Sequence, residues 1–280
     1  MFSEKRLIHC GGKLLDLSTP KVMGILNVTP DSFYPESRLM NEAEVLQLAE
    51  QMRQDGAAIL DVGGLSTRPG AEEISVDEEL HRVIPAIRKI LKEFPDAIVS
   101  IDTFRSKVAE EAVAAGATMV NDISAGRLDA DFLTTIAKLK IPYVLMHMQG
   151  TPQTMQENPS YESVVNDVFN FLKKRLIQLN RLGIHDIILD PGFGFGKSVE
   201  HNYQLLQHLS VLRTLGLPVL AGLSRKSMIC KVLHVNPANA LNGTTALHAV
   251  ALLQGAKILR VHDVKEAVET IELMAALHRA

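Results

Sequence analysis

The sequence predicts an α/β fold: a single (β/α)8 TIM barrel preceded by an N-terminal β-hairpin. Three observations predict it. Short apolar runs alternate with amphipathic helical stretches along the chain. Several of those stretches end in glycine just before the next run, at Gly56, Gly116, Gly183 and Gly255, where glycine supplies the left-handed residue that closes a helix. Nearly every apolar run ends in a polar residue, which suits strands buried on both faces whose C-terminal tips meet a ligand.

The elements follow in order. Residues 7–18 read as a strand, a Gly11-Gly12 turn and a second strand, a plug ahead of the main fold. The barrel strands are then predicted at Val22–Val28, Ile59–Gly64, Ile98–Asp102, Met119–Ser124, Tyr143–Met148, Ile187–Asp190, Pro218–Leu223 and Ile258–His262. Helices are predicted between them, among others at Glu42–Asp55, Ser106–Ala115 and Tyr161–Leu182. Eight strands alternating with helices favour a closed parallel barrel over an open sheet. The first barrel strand also lacks the GxGxxG that often follows the first strand of a doubly wound sheet. With no linker or low-complexity segment, residues 1–280 are expected to form one domain.

Composition narrows the function classes. The 280 residues are 46% hydrophobic and 22% charged, ordinary for a globular chain with a large core. A net charge of −3 gives no electrostatic reason to expect nucleic acid as a partner. Neither a secretory leader nor a bilayer-spanning run is evident. Cys10 and Cys230 lie far apart without a CxxC, so a reducing cytoplasmic setting is expected.

The strand ends carry Asn27, Asp61, Asp102, Asn121-Asp122, His147, Asp190, Ser224-Arg225-Lys226 and Arg260-Val261-His262. Single members can cap helices or brace loops; so many polar groups on one rim call for a ligand. Asn27 offers one amide oxygen, able to hold Mg²⁺ weakly while a substrate phosphate supplies the charge. Asp102 opens Asp102-Thr103-Phe104-Arg105-Ser106, so capping the next helix is its rival role. Asp190 precedes Pro191 and three glycines, which leave no helix start to cap directly. Lys226 can reach a ligand carbonyl or ring nitrogen. Ser227, opening the next helix, suits an anion. Arg260 and His262 alternate on the last strand and face one side, a cation pair suited to phosphate or pyrophosphate. Arg68, in Ser66-Thr67-Arg68-Pro69-Gly70, is a loop cation able to join them. His147 has no partner at zinc-ligand spacing, and Met146 is expected to line a pocket.

Taken together, Met23-Gly24-Ile25-Leu26-Asn27-Val28-Thr29-Pro30-Asp31-Ser32-Phe33, Asp61-Val62-Gly63-Gly64, Ser100-Ile101-Asp102-Thr103, Asn121-Asp122-Ile123, Asp190 to Lys197, Gly222 to Ser227 and Leu259 to Val264 resemble the motifs of the dihydropteroate synthases, in order and spacing. These are the folate-pathway enzymes that sulfonamides inhibit. The resemblance implies condensation of 6-hydroxymethyl-7,8-dihydropterin pyrophosphate with 4-aminobenzoate, with Mg²⁺ and without a strong base. It implies that Asp102, Asn121, Met146, Asp190 and Lys226 bind pterin, and that Asn27, Arg68, Arg260 and His262 hold pyrophosphate, Asn27 through the metal. Thr67, Pro69, Phe193 and Ser227 would receive the aminobenzoate. Asp102, Lys226, Arg260 and His262 would be catalytic, and the chain a homodimer. Tyr34-Pro35-Glu36-Ser37-Arg38 departs from the family's glycine-containing segment, which stiffens the first loop. A pterin-binding methyltransferase module, or a non-catalytic pterin-binding barrel, is the alternative.

Overall fold

The computed structural model describes residues 5–28, 42–66 and 74–279. Two strands, β1 (Leu7–Cys10) and β2 (Lys13–Asp16), pair antiparallel around Gly11-Gly12 as the predicted hairpin. Eight parallel strands follow: β3 (Lys21–Asn27), β4 (Ile59–Gly63), β5 (Val99–Asp102), β6 (Met119–Asp122), β7 (Tyr143–Met146), β8 (Ile187–Asp190), β9 (Leu220–Ala221) and β10 (Ile258–Val261). Their ladder runs β8-β7-β6-β5-β4-β3-β10-β9. A parallel bridge between Leu189 and Val219 joins β8 to β9, with the Leu189 N–H donating to Pro218 O at 2.9 Å, and brings the ladder round into a barrel.

Helices α1 (Glu42–Gln54), α2 (Val76–Glu93), α3 (Ser106–Ala114), α4 (Phe132–Leu139), α5 (Val164–Arg181), α6 (Val199–Gln207), α7 (Ser227–Leu233), α8 (Leu241–Leu253) and α9 (Val264–Arg279) accompany the strands. The four glycines predicted to close helices all take positive φ. Two elements differ from expectation. The seventh barrel strand, expected over Pro218–Leu223, keeps only a two-residue ladder, because Pro218 has no N–H to donate. The helix expected from Tyr161 starts at Val164, because Ser163 is extended and serves as its N-cap, and the Tyr161 hydroxyl instead donates to Gly196 O at 2.6 Å.

The period of two along each strand sorts the side chains. Leu60, Val62, Val99, Ile101, Val120, Leu145 and Leu189 point outward into the main core against the helices. The alternate positions point into the barrel. Their lowest layer is apolar: Met23, Ile59, Met119, Val144, Ile188, Leu220 and Ile258 pack with Ile8, Cys10, Leu15 and Leu17 of the hairpin segment. The hairpin therefore seals the N-terminal end. Above that layer the same faces turn polar, with Asn27, Asp61, Asp102, Asn121, Asp190 and Arg260 at inward positions. Strand pairing sets Asp61 beside Ser100, Gly63 beside Asp102, and Asp102 beside Asn121.

Candidate active site

Arg260 is the hub of the barrel mouth. Its Nε donates to Asp61 Oδ2 at 2.6 Å and an Nη donates to Asp102 Oδ2 at 2.5 Å. The Asn121 amide donates to the same Asp61 oxygen at 3.0 Å. Burial opposes the Arg260 charge, yet Asp61 and Asp102 hold the guanidinium above its ordinary range. The converse holds at Asp102, where burial pushes the carboxyl up to about 7, against the pull of Arg260. The rival role for Asp102 falls away. Asp129 Oδ2 accepts the Ser106 N–H at 2.7 Å at the start of α3 and so does the capping.

Asp190 Oδ1 accepts the Gly192 N–H at 2.7 Å, which leaves Oδ2 for a ligand. Burial raises its carboxyl, opposed by that N–H and by Lys226. Lys226, the residue before α7, places its ammonium 4.3 Å from the centre of the Phe195 ring. Burial draws it down to about 8, with Asp190 opposing. Met146 joins Ile123, Met148 and Met155 in a small apolar cluster that Phe104 and Phe195 flank. A flat heterocycle is well matched by such a site, apolar on its faces and polar along its edge. Ser227 opens α7 directly after Lys226.

Two expectations are corrected. Phe193, expected against the aminobenzoate ring, is 1% exposed within the main core. Phe195, two residues on, is the ring at the mouth. Gly194, in the left-handed region, separates the two, so no strand parity governs which phenylalanine faces inward. The second correction concerns the cation pair. Burial, then Arg260, lowers His262 to about 4, so near neutral pH it is an uncharged imidazole. The Ser224 hydroxyl oxygen accepts the His262 backbone N–H at 3.2 Å and lies 3.0 Å from Nδ1. With the Ser224 hydroxyl donating to Nδ1, Nε2 carries the ring proton and is the donor open to a ligand. Arg260, for its part, is already paired with two carboxylates.

Arg225 turns away from the rim to grip Asp263, at 2.9 Å from Nε and 2.6 Å from an Nη. His147 packs edge-on against Phe171 as a structural residue. Asp122 accepts from Ser124 N, Gly126 N and the Tyr143 hydroxyl, and braces its loop. Thr67, Arg68, Pro69 and the Tyr34–Arg38 segment lie outside the described residues. Asp61, which the sequence marks only as a strand end, sits at the centre of the network. Its parity with Asp102 and Asn121 was the signal. Lys197 was missed as well, and no spacing rule marks it.

The loop after Asp190 is tightly specified. A Cβ on Gly192, whose φ is +70°, would overlap the carbonyl oxygen of His147. Gly192→Ala is expected to cost on the order of 1–3 kcal/mol through strain and overpacking, read as a lower midpoint in thermal unfolding. An unchanged midpoint would contradict the crowding.

The profile of the pterin binding enzyme family matches residues 23–262. The chain is 46% identical over 275 residues to the dihydropteroate synthase of Haemophilus influenzae, covering 98% of this chain and 99% of that one. A Yersinia pestis dihydropteroate synthase solved with a sulfonamide drug complex superposes with a TM-score of 0.94 at 44% identity, covering 98% of this chain and 100% of that one. The Xanthomonas albilineans dihydropteroate synthase in complex with 7,8-dihydropteroate gives a TM-score of 0.88 at 40% identity, with 98% and 99% covered. The chain therefore belongs to the pterin-binding enzymes and, within them, to the dihydropteroate synthases.

Proposed function

We propose that this dihydropteroate synthase condenses 6-hydroxymethyl-7,8-dihydropterin pyrophosphate with 4-aminobenzoate by dissociative substitution, on the residues of the barrel mouth. The observation that carries the reading is the juxtaposition of Asp190, Asn121 and Lys226 with the apolar wall of Met146, Ile123 and Phe195. Carboxylate and amide oxygens suit the amino and ring N–H donors of a pterin, and the Lys226 ammonium suits its acceptors. The relative solved with 7,8-dihydropteroate supports the same substrate class.

The C–O bond to pyrophosphate breaks first, and the electron pair leaves on oxygen. His262 Nε2–H donates to the leaving group. The pterin methylene is then electron-poor, and ionised Asp102 faces it with a compensating charge. The neutral aniline nitrogen attacks, forms the new C–N bond and loses a proton to water or to the departing pyrophosphate. Ser227 receives the aminobenzoate carboxylate together with Thr67 and Pro69, while Arg68 serves the pyrophosphate. Phe195 takes the wall position.

The family reading implies Mg²⁺. Among the described residues no group of three His, Cys, Asp or Glu is placed to hold a metal. Asn27 Oδ1 stands across from the bare Cα of Gly63, where a Cβ would come within 3.4 Å of it and within 3.5 Å of Asp102 Cβ. That opening and one neutral oxygen fit an ion that brings phosphate and water ligands with it. Asn27 would hold it, and when bound it neutralises charge on the pyrophosphate.

The chain is further read as one cytoplasmic domain that acts as a homodimer without nucleic-acid or membrane partners. Exposed Leu253, Leu273 and Leu277 on the adjacent helices α8 and α9 support self-association. No helix among the described residues is long and apolar enough to cross a membrane.

The test is pyrophosphate release from the purified protein given the pterin pyrophosphate and Mg²⁺, with and without 4-aminobenzoate. Release coupled to dihydropteroate formation is expected. Pterin binding without turnover would favour a non-catalytic barrel. The pH profile supplies a second check. Below about 7 Asp102 takes up a proton and loses its charge, and above about 8 Lys226 loses its own. The profile of kcat/KM is therefore expected to be a narrow bell between those values, and Asp102→Asn should remove its acid limb. A flat profile from pH 6 to 9 would refute both assignments.

A further inference from the structure

Lys197 has an environment that simple loop bracing does not explain. Its side chain is 3% exposed, and its ammonium sits among Gly192 O at 2.9 Å, Phe195 O at 2.9 Å, His147 Nδ1 at 3.0 Å and His147 O at 3.4 Å. None of these partners carries a negative charge, and an ammonium buried among neutral acceptors is expensive to desolvate. Burial draws it down to about 7, with the charge of Asp190 opposing. An amide side chain or a water would satisfy the same carbonyls at lower cost.

What it grips is informative. Gly192, whose carbonyl it holds, gives its N–H to Asp190 Oδ1. Phe195, whose carbonyl it also holds, lays its ring under the Lys226 ammonium. Lys197 is thus one residue removed from the carboxylate on one side and one residue removed from the ammonium on the other. The rest of the loop is tied in parallel: Asn202 accepts the Gly194 N–H at 2.7 Å, and Gln156 donates to Gly194 O at 2.7 Å.

We propose that Lys197 is a positioning residue for the pterin half of the reaction: from inside the glycine loop it fixes Asp190 and Phe195–Lys226 relative to each other and supplies a cation behind Asp190. It touches no substrate. The inference rests on the pterin reading of the mouth. Its effect falls mainly on the pterin side, because its grips on Gly192 and Phe195 lead to Asp190 and Lys226, while only the Phe195 ring is shared with the aminobenzoate wall.

The test uses Lys197→Gln, which keeps N–H donors for the carbonyls but removes the charge, and Lys197→Met, which removes both. Calorimetry with the pterin pyrophosphate gives the affinity, and steady-state kinetics give KM for each substrate. Pterin binding by the unaltered protein checks the underlying reading, and only the comparison with the variants bears on Lys197. The expected result is at least a tenfold weaker pterin affinity in Lys197→Gln and a larger loss in Lys197→Met, with a clearly smaller rise in KM for 4-aminobenzoate. An unchanged pterin affinity in folded Lys197→Gln would overturn the proposal. So would equal losses for both substrates, or a reduced active fraction with unchanged affinity per site, since these mark a merely structural lysine. If Lys197→Met does not fold, Lys197→Gln decides.

Discussion

Arg260→Ala should destabilise the fold by about 3–5 kcal/mol, the usual cost of removing one partner from a buried ion pair, and should abolish turnover. The guanidinium holds Asp61 at 2.6 Å and Asp102 at 2.5 Å, and Asp61 is fully buried. Among the described residues, Asp61 without it keeps only the Asn121 amide, while its Oδ1 has no hydrogen-bond partner even in the intact network. The effect reaches chemistry through Asp102. Arg260 is the main influence lowering that carboxyl; without it Asp102 is protonated near neutral pH and no longer faces the methylene with a charge. Chemical denaturation and single-turnover rates measure the two consequences. A variant that folds with its original midpoint and loses only affinity for pyrophosphate would show that Arg260 acts as a rim cation after all.

Asp190→Asn is expected to weaken pterin binding by about 3 kcal/mol, on the order of 100-fold, with little change in fold. An asparagine oxygen can still accept the Gly192 N–H, so the turn is preserved. What changes is Oδ2. Where an anion received the pterin's N–H donors, an NH₂ would confront them donor to donor. Lys226 and Lys197 would also lose the anion that supports their charges. Titration calorimetry of the pterin substrate checks this, with far-UV circular dichroism as the control. Undiminished affinity would move the pterin elsewhere on the rim.

The two predictions differ because a sequence shows which groups share a face but not which of them consume one another. The barrel was legible because parallel strands buried on both faces read as apolar runs, and because four of the helices had a terminator of known conformation at Gly56, Gly116, Gly183 or Gly255. The rim was legible for the same reason: parity along a strand places Asp102, Asn121, Asp190 and Arg260 inward. Pairing across the barrel is a property of three dimensions. Nothing in the order of residues announces that Arg260 meets Asp61, 199 positions away, or that Arg225 instead grips Asp263. The protonation of His262 was illegible because burial sets it. The glycine loop defeated the parity rule, since left-handed glycines reset the direction of each side chain, and so Phe195 rather than Phe193 reached the mouth.

The sealed base has a consequence for traffic. With Ile8, Cys10, Leu15 and Leu17 stoppering the lower end, the barrel is a cup with one opening, and molecules must queue there. On the proposed reading, a pterin seated deepest against Asp190 and Asn121 would have to arrive before an aminobenzoate at the lip. It could then not depart while the lip was occupied. A compound that lodged at the lip would then do more than compete for a place; it would cork the cup and detain whatever lay below.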